Sequence, residues 1–340
     1  MAGAAAAVVL TFASAALQMR AGPEAAPRAG IVLRPGPVSD AARAACRTLS
    51  PALLCLIVYA GLAGSRNPET NIVPTLVWLA WWVGLPLATA CLGNIWPALD
   101  PWRALFDAFH GLARRAGLAR VSAPARAWPR ALGAWPAVAL LLSFAWLEVV
   151  YPYAALPAHI AWMAIAWSAF TWAGMACFGA DAWQRHADVF AVYFDTLGRF
   201  APLGPGPGEH CVVLRPPGRA LIAGEAGSLA MVAFVIAMLS TLLFDGLTGT
   251  PSFAWVHRAL ARWAPRWIDD RGYVLGTLGI VAVWLFFLLA YLAACLATAR
   301  LLGDRSAMAV ARLFALTLVR SRSPTTWRTT STTCSCRGSC

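Results

Sequence analysis

The chain has 340 residues, of which 60% are hydrophobic and 12% charged, with a formal net charge of +12 and a mean hydropathy of +0.64. Soluble domains carry about a quarter charged residues, so this composition excludes an ordinary soluble enzyme and points to a membrane protein. All 27 basic residues are Arg, scattered between apolar blocks, which fits a GC-rich genome and excludes the clustered basic face of a nucleic-acid-binding protein.

A helix crossing a bilayer needs about 20 mostly apolar residues. The run from Gly3 to Gln18 reads as a first span clipped at its amino end; a secretory signal is the alternative, but no basic segment precedes the run. Leu49 to Gly64 is a shorter second span. Ile72 to Gly93, Pro136 to Tyr153, His159 to Ala180, Ser228 to Asp245 and Tyr273 to Thr298 meet the length test cleanly. The expected fold is an all-α polytopic integral membrane helix bundle of about seven spans, forming a single domain over residues 1–319.

The arginines divide unequally between the two sides of such a bundle. Alternate linkers hold five (Arg20 to Arg47), six (Arg103 to Arg130), four (Arg185 to Arg219) and three (Arg300 to Arg312), which makes 18 on one side. The other side holds Arg66 and the four from Arg258 to Arg271, which makes 5. By the positive-inside rule the first side is cytoplasmic and the amino terminus is outside. The expected location is therefore a bacterial inner membrane, crossed many times, with the lipid bilayer as the first partner.

The longer linkers carry apolar residues at helical spacing. Trp102, Leu105, Phe106, Phe109 and Leu112 form one such stripe, with Arg103, Asp107, Arg114 and Arg115 elsewhere around the axis. Val189, Phe190, Tyr193, Leu197 and Phe200 form a second, ahead of a Pro- and Gly-rich breaker at 202–208. Arg258, Arg262 and Arg266 line a face beside Trp255, Trp263 and Trp267. All three are expected to lie on the membrane surface as anchors. Many of the 17 Trp and 6 Tyr fall near span ends, where an interfacial aromatic belt accounts for them.

From Arg320 the composition turns abruptly to Arg, Ser, Thr and Cys. The apolar run from Ala307 to Val319 stops at 13 residues, too few to span. Ser, Trp and Cys codons read one base out of frame place T at the second codon position, which always encodes apolar residues. A one-base shift near codon 320 therefore restores an eighth span, with two His where Thr326 and Thr329 stand. The competing reading of 320–340 is a disordered tail. Nine Cys, at 46, 55, 91, 177, 211, 295, 334, 336 and 340, include no CxxC pair and no His at zinc spacing, so neither a disulfide scaffold nor a zinc ribbon is encoded.

Ionisable side chains inside spans cost about 2.5–3.5 kcal/mol each on insertion scales and need a partner or a purpose. Glu148 lies near the outer end of the fourth span and Asp245 ends the sixth. Tyr59, Asn71, Thr75 and Tyr151 bring hydroxyl and amide groups to the same leaflet. Two carboxylates joined by two His would suit a divalent metal ion, whose bound water can act as a nucleophile at neutral pH. Alternatively, Glu148 and Asp245 satisfy helix-end amides or bond between helices.

Several strings together resemble one bacterial family. They are Val58-Tyr59-Ala60-Gly61-Leu62-Ala63-Gly64 followed by Asn71 and Pro74-Thr75; Pro101-Trp102-Arg103; Trp146-Leu147-Glu148 with Val150-Tyr151-Pro152; Val192-Tyr193-Phe194; and Phe244-Asp245-Gly246. In this order they resemble the fenitrothion hydrolase-like family of polytopic membrane proteins, over roughly four-fifths of the chain. The resemblance implies membrane-bound hydrolysis of an organophosphate ester, with no catalytic residue carried over. The competing class is a small-molecule or ion transporter, or an assembly factor for another membrane complex. Glu148 and Asp245 could serve either class.

Overall fold

The computed structural model describes residues 31–33, 37–117, 126–205, 212–214, 228–262 and 273–301. The Gly3 to Gln18 run, the Ala307 to Val319 run and the 320–340 tail lie outside the described residues. Among the described residues five helices are long and apolar enough to cross a membrane: α1 (Pro37–Ala63), α2 (Ile72–Leu92), α6 (Pro157–Phe178), α9 (Leu229–Thr248) and α11 (Tyr273–Leu301). Between them stand α3 (Trp96–Leu99), α4 (Pro101–Arg115), α5 (Trp135–Val149), α7 (Ala180–His186), α8 (Val189–Gly198) and α10 (Pro251–Ala261). The chain is an all-α membrane bundle.

Two spans differ in extent from the sequence expectation. Helix α1 begins at Pro37 rather than Leu49, so Arg43 and Arg47 lie on its exposed amino-terminal part instead of in a linker. Helix α5 ends at Val149 rather than Tyr153. Tyr151 precedes Pro152, whose ring drives its predecessor out of the helical region, and the 15 residues that remain reach about 22 Å at 1.5 Å per residue.

A three-stranded antiparallel sheet joins distant parts of the chain. Its strands are β1 (Ile31–Leu33), β2 (Leu203–Pro205) and β3 (Val212–Leu214), in the order β1-β3-β2, with Val32 opposite Val213 and Val213 opposite Gly204. The sequence reading had only a breaker at 202–208.

Helix α2 is not a uniform α-helix. From Thr75 to Gly84 it is π-helical, and the Leu85 amide at its end still reaches back five residues to the Ala80 carbonyl. Such wide turns are rare and recur at functional sites. Trp78, Trp81 and Trp82 all fall within this stretch.

A similar local sequence of events occurs twice. After α2, Gly93 takes a positive φ of 96°, α3 carries Trp96, and Asp100 caps α4. After α6, Gly179 takes a positive φ of 85°, α7 carries Trp183, and Asp188 caps α8. Glycine populates this conformation without steric penalty. Two residues beyond each cap stand Trp102 and Phe190, whose rings stack 5.9 Å apart. Trp183 is seated where Gly174 leaves no side chain, since a Cβ there would lie 2.3 Å from its ring.

The core is rich in aromatic residues and includes several that the sequence assigned to the surface. Trp96, Trp102 and Trp183 are buried in it rather than forming a belt. Trp81 packs edge-on to Phe190 at 4.6 Å, and Trp96 stacks on Phe194 at 4.8 Å. Helix α8, expected as a surface anchor, is a core element with Val189, Phe190, Val192, Tyr193 and Phe194 all buried. The physical reason is on its other face, where Val192, Phe194 and Thr196 make the helix apolar nearly all round; such a helix belongs inside. Its two charges, Asp195 and Arg199, pair with each other. Helix α4 follows the expectation better, with Phe109 and Leu112 exposed and a polar face led by Arg103.

Candidate functional site

Glu148 stands one residue before the end of α5. Its Oε1 accepts a hydrogen bond from the indole Nε1 of Trp82, at 2.5 Å. Trp82 lies at the midpoint of the Ile72–Leu92 span, so the end of α5 is tied to the middle residue of α2. The Trp82 ring packs on Phe144 at 4.5 Å and on Tyr193 of α8 at 5.2 Å. Glu148 is within electrostatic reach of both Tyr193 and Asp245. Asp245 is exposed near the end of α9, while its neighbour Phe244 is buried against Phe253 at 5.6 Å. The two carboxylates singled out in the sequence stand on separate helices, α5 and α9.

The other four polar candidates have different surroundings. Asn71 is buried and serves the loop between α1 and α2: its Nδ2 donates to the carbonyls of Ala60 and Ser65 at 2.8 and 2.7 Å, and its Oδ1 accepts from the Val73 amide. These three hydrogen bonds account for it structurally. Tyr151 stacks on Trp146 at 6.1 Å and stands edge-on to Tyr153 at 5.6 Å. Tyr59 is 71% exposed. Thr75 is exposed at the start of the π-helical stretch.

Among the described residues no group of three or more His, Cys, Asp or Glu is placed to hold a metal ion. Glu148 and Asp245 supply two carboxylates, one already engaged by Trp82, and the positions expected to carry two His in a restored frame, Thr326 and Thr329, lie outside the described residues. The described side chains thus do not by themselves fit the expected divalent metal.

Beside this centre is an apolar cavity of about 420 Å³ between α1, α2, α5 and α6. Trp78, Trp81, Phe144, Trp102, Trp167 and Phe190 give it an aromatic wall. Leu147 lines it and adjoins Glu148 in the chain. A cavity of this size falls within the range of small-molecule sites.

A second constellation was missed in the sequence. Asp100 Oδ1 accepts from the amides of Trp102 and Arg103, both at 3.0 Å, and its Oδ2 accepts from Gln184 Nε2 at 2.6 Å. Asp188 Oδ1 accepts from the amides of Phe190 and Ala191 at 3.0 and 3.2 Å, while its Oδ2 has no hydrogen-bond partner. Both side chains are buried. Burial pushes the Asp100 carboxyl up to about 6. Burial first, and the neighbouring Asp100 charge second, push Asp188 up to about 7. The signal available in the sequence was the helix-start pattern Asp100-Pro101, since Asp favours the cap and Pro the first helical position.

The chain matches no family model, no curated protein and no solved structure.

Proposed function

We propose that this integral membrane protein handles a cation, the proton included, at the Glu148–Asp245 pair, and that its function is ion-linked transport. The observation that carries the reading is the Trp82 to Glu148 hydrogen bond at mid-span. A carboxylate inside a bundle points to a functional site, ion pathways and proton relays among them, and the charge of Asp245 acting on Glu148 favours a cation near the pair. The donor belongs to a π-helical stretch, a form associated with functional sites. The Arg distribution supports a bacterial inner-membrane orientation with α3, α4 and α7 towards the cytoplasm and the amino terminus outside.

The test is proton entry into vesicles that contain the full chain and a pH-sensitive dye, driven by an imposed membrane potential. Entry above that of protein-free vesicles, lost in Glu148→Gln, is expected. Entry that is absent in the wild type, or equal in Glu148→Gln, overturns the reading.

A second reading is hydrolysis of an organophosphate-type ester, favoured by the family resemblance and by the aromatic cavity next to Leu147. In that reading the cavity binds the apolar ester from the lipid, and Glu148 and Asp245 are the polar groups nearest to it. Its divalent metal needs ligands beyond the described residues. Cleavage of a chromogenic phosphotriester that depends on added divalent metal, without proton entry, would favour it. A non-catalytic role in assembling another membrane complex predicts neither activity.

A further inference from the structure

We propose that α4 lies in the headgroup layer on the Arg-rich side of the bundle and binds anionic phospholipid there, with Phe109 and Leu112 against the acyl chains and Arg114 and Arg115 on the phosphates. Nothing in this depends on the role of Glu148.

The level of the helix is fixed by its first turn. Trp102 donates its indole N–H to Ser168 Oγ at 2.8 Å, and its carbonyl accepts from Trp172 Nε1 at 3.1 Å; both partners belong to the apolar span α6. The next residue reaches the other way. Arg103 donates to Asp181 and Gln184 of α7, beyond the end of that span at Phe178. Helix α4 therefore starts at the boundary between the spans and the aqueous phase, and only residues 93–100 separate it from the end of α2.

Its two faces are both apolar, and the bundle covers one of them. Trp102 and Ala113 are buried, and Phe106 packs on the core. Ala108, Phe109 and Leu112 recur at helical spacing on a different side and are exposed, Phe109 at 61% and Leu112 at 67%. A helix at this level buries such a face about 5–10 Å into the boundary between headgroups and acyl chains. A soluble partner or a second copy would have to displace lipid from a layer in which α4 already starts.

Charge decides which lipid. Arg114 and Arg115 are exposed in the last turn, and neither is in an ion pair among the described residues. A helix carboxyl end favours cations by itself, but that does not account for the exposed apolar residues just before them. The acidic side chains near the helix are engaged elsewhere: Asp107 and Asp181 pair with Arg103, and Asp100 caps the first turn. Helix α1 packs against α4 and carries the exposed Arg47 on its amino-terminal part. Uncompensated positive charge beside an apolar face complements the negative surface of an anionic leaflet.

The experiment has two arms, both on the full chain. In the first, p-benzoylphenylalanine replaces Phe109 in bacterial membranes, and mass spectrometry identifies what it captures on illumination. A phospholipid adduct is expected; capture of protein alone, a second copy included, or no phospholipid adduct overturns the placement of α4. In the second, native mass spectrometry follows the lipids that stay bound after release from nanodiscs of equal phosphatidylglycerol and phosphatidylcholine. Phosphatidylglycerol should be retained in excess, and the excess should fall about fivefold for each Arg removed, in Arg115→Gln and further in Arg114→Gln/Arg115→Gln. Arg66→Gln, exposed on the opposite side, should leave it unchanged. Equal retention of the two lipids by the wild type, an unaltered excess in the double variant, or an equal fall in Arg66→Gln overturns the selection of anionic lipid by α4. The wild-type measurement decides the main point even if a variant fails to fold.

Discussion

Trp82 and Glu148, separated by 66 positions in the chain, meet through an indole N–H that donates to the Glu148 carboxylate at 2.5 Å. This contact fastens the π-helical part of α2 to the end of α5 and fixes where the charge of Glu148 lies. Removing the donor leaves a half-buried carboxylate without it, at a cost of about 1–3 kcal/mol. Trp82→Phe should lower the thermal midpoint of the detergent-solubilised protein. In the Trp82→Phe/Glu148→Gln double variant the losses should be strongly non-additive; simple additivity would mean that the two side chains are not coupled.

A steric test concerns the α6–α7 corner. Gly174→Ala would put a Cβ 2.3 Å from the Trp183 ring, whose Nε1 also donates to Thr171 Oγ1 at 2.7 Å. Overpacking of this kind costs about 1–3 kcal/mol. Gly111→Ala in α4 meets nothing within 4 Å and should instead stabilise by about 0.5–1 kcal/mol through the better helix propensity of Ala. Equal midpoints for the two variants would contradict the seating of Trp183.

The contrast between these elements shows how much could be read in the sequence. Helices α2, α6, α9 and α11 were legible because long apolar runs leave little choice of structure in a bilayer. Glu148 and Asp245 stood out as candidates because ionisable residues are conspicuous in such runs. The core position of α8 was not. A stripe of Val189, Phe190, Tyr193 and Leu197 suits a membrane surface as well as a core, and only the small and apolar residues opposite, Val192, Phe194 and Gly198, decide between them. The Trp82 partner was hidden for another reason: periodicity says nothing of an indole N–H that crosses 66 residues. Asp100 and Asp188 lie in linkers, where an acidic residue ordinarily faces water; their burial follows from the packing of Trp102 against Phe190.

Stability should fall as pH rises across the range in which Asp188 titrates. Its carboxyl ordinarily loses its proton near 3.8 and in the folded chain keeps it to about 7, and Asp100 is displaced in the same direction to about 6. Between those limits the folded state binds more protons than the unfolded chain, so stability declines from about pH 4 to about pH 7 and levels off above. Thermal midpoints at a series of pH values check this, and Asp188→Asn should flatten the slope. A rise in stability over the same range would refute the assignment.

Orientation is testable with fusions. The Arg distribution predicts that a reporter active only outside the inner membrane works when fused after Tyr153 and fails after Arg126. The reverse pattern would put Asp100 and Asp188 on the outer side.

The most direct measurement of the central claim is chemical modification of Glu148 by an apolar carbodiimide, followed in the same vesicles by peptide mass spectrometry and proton entry. These reagents enter from the lipid and attach to carboxyl groups. If Glu148 and Asp245 form the ion-handling centre, an adduct appears on Glu148, proton entry falls as the adduct accumulates, and Glu148→Gln vesicles show neither adduct at that position nor further loss. Proton entry that continues undiminished while Glu148 is fully modified would contradict the account.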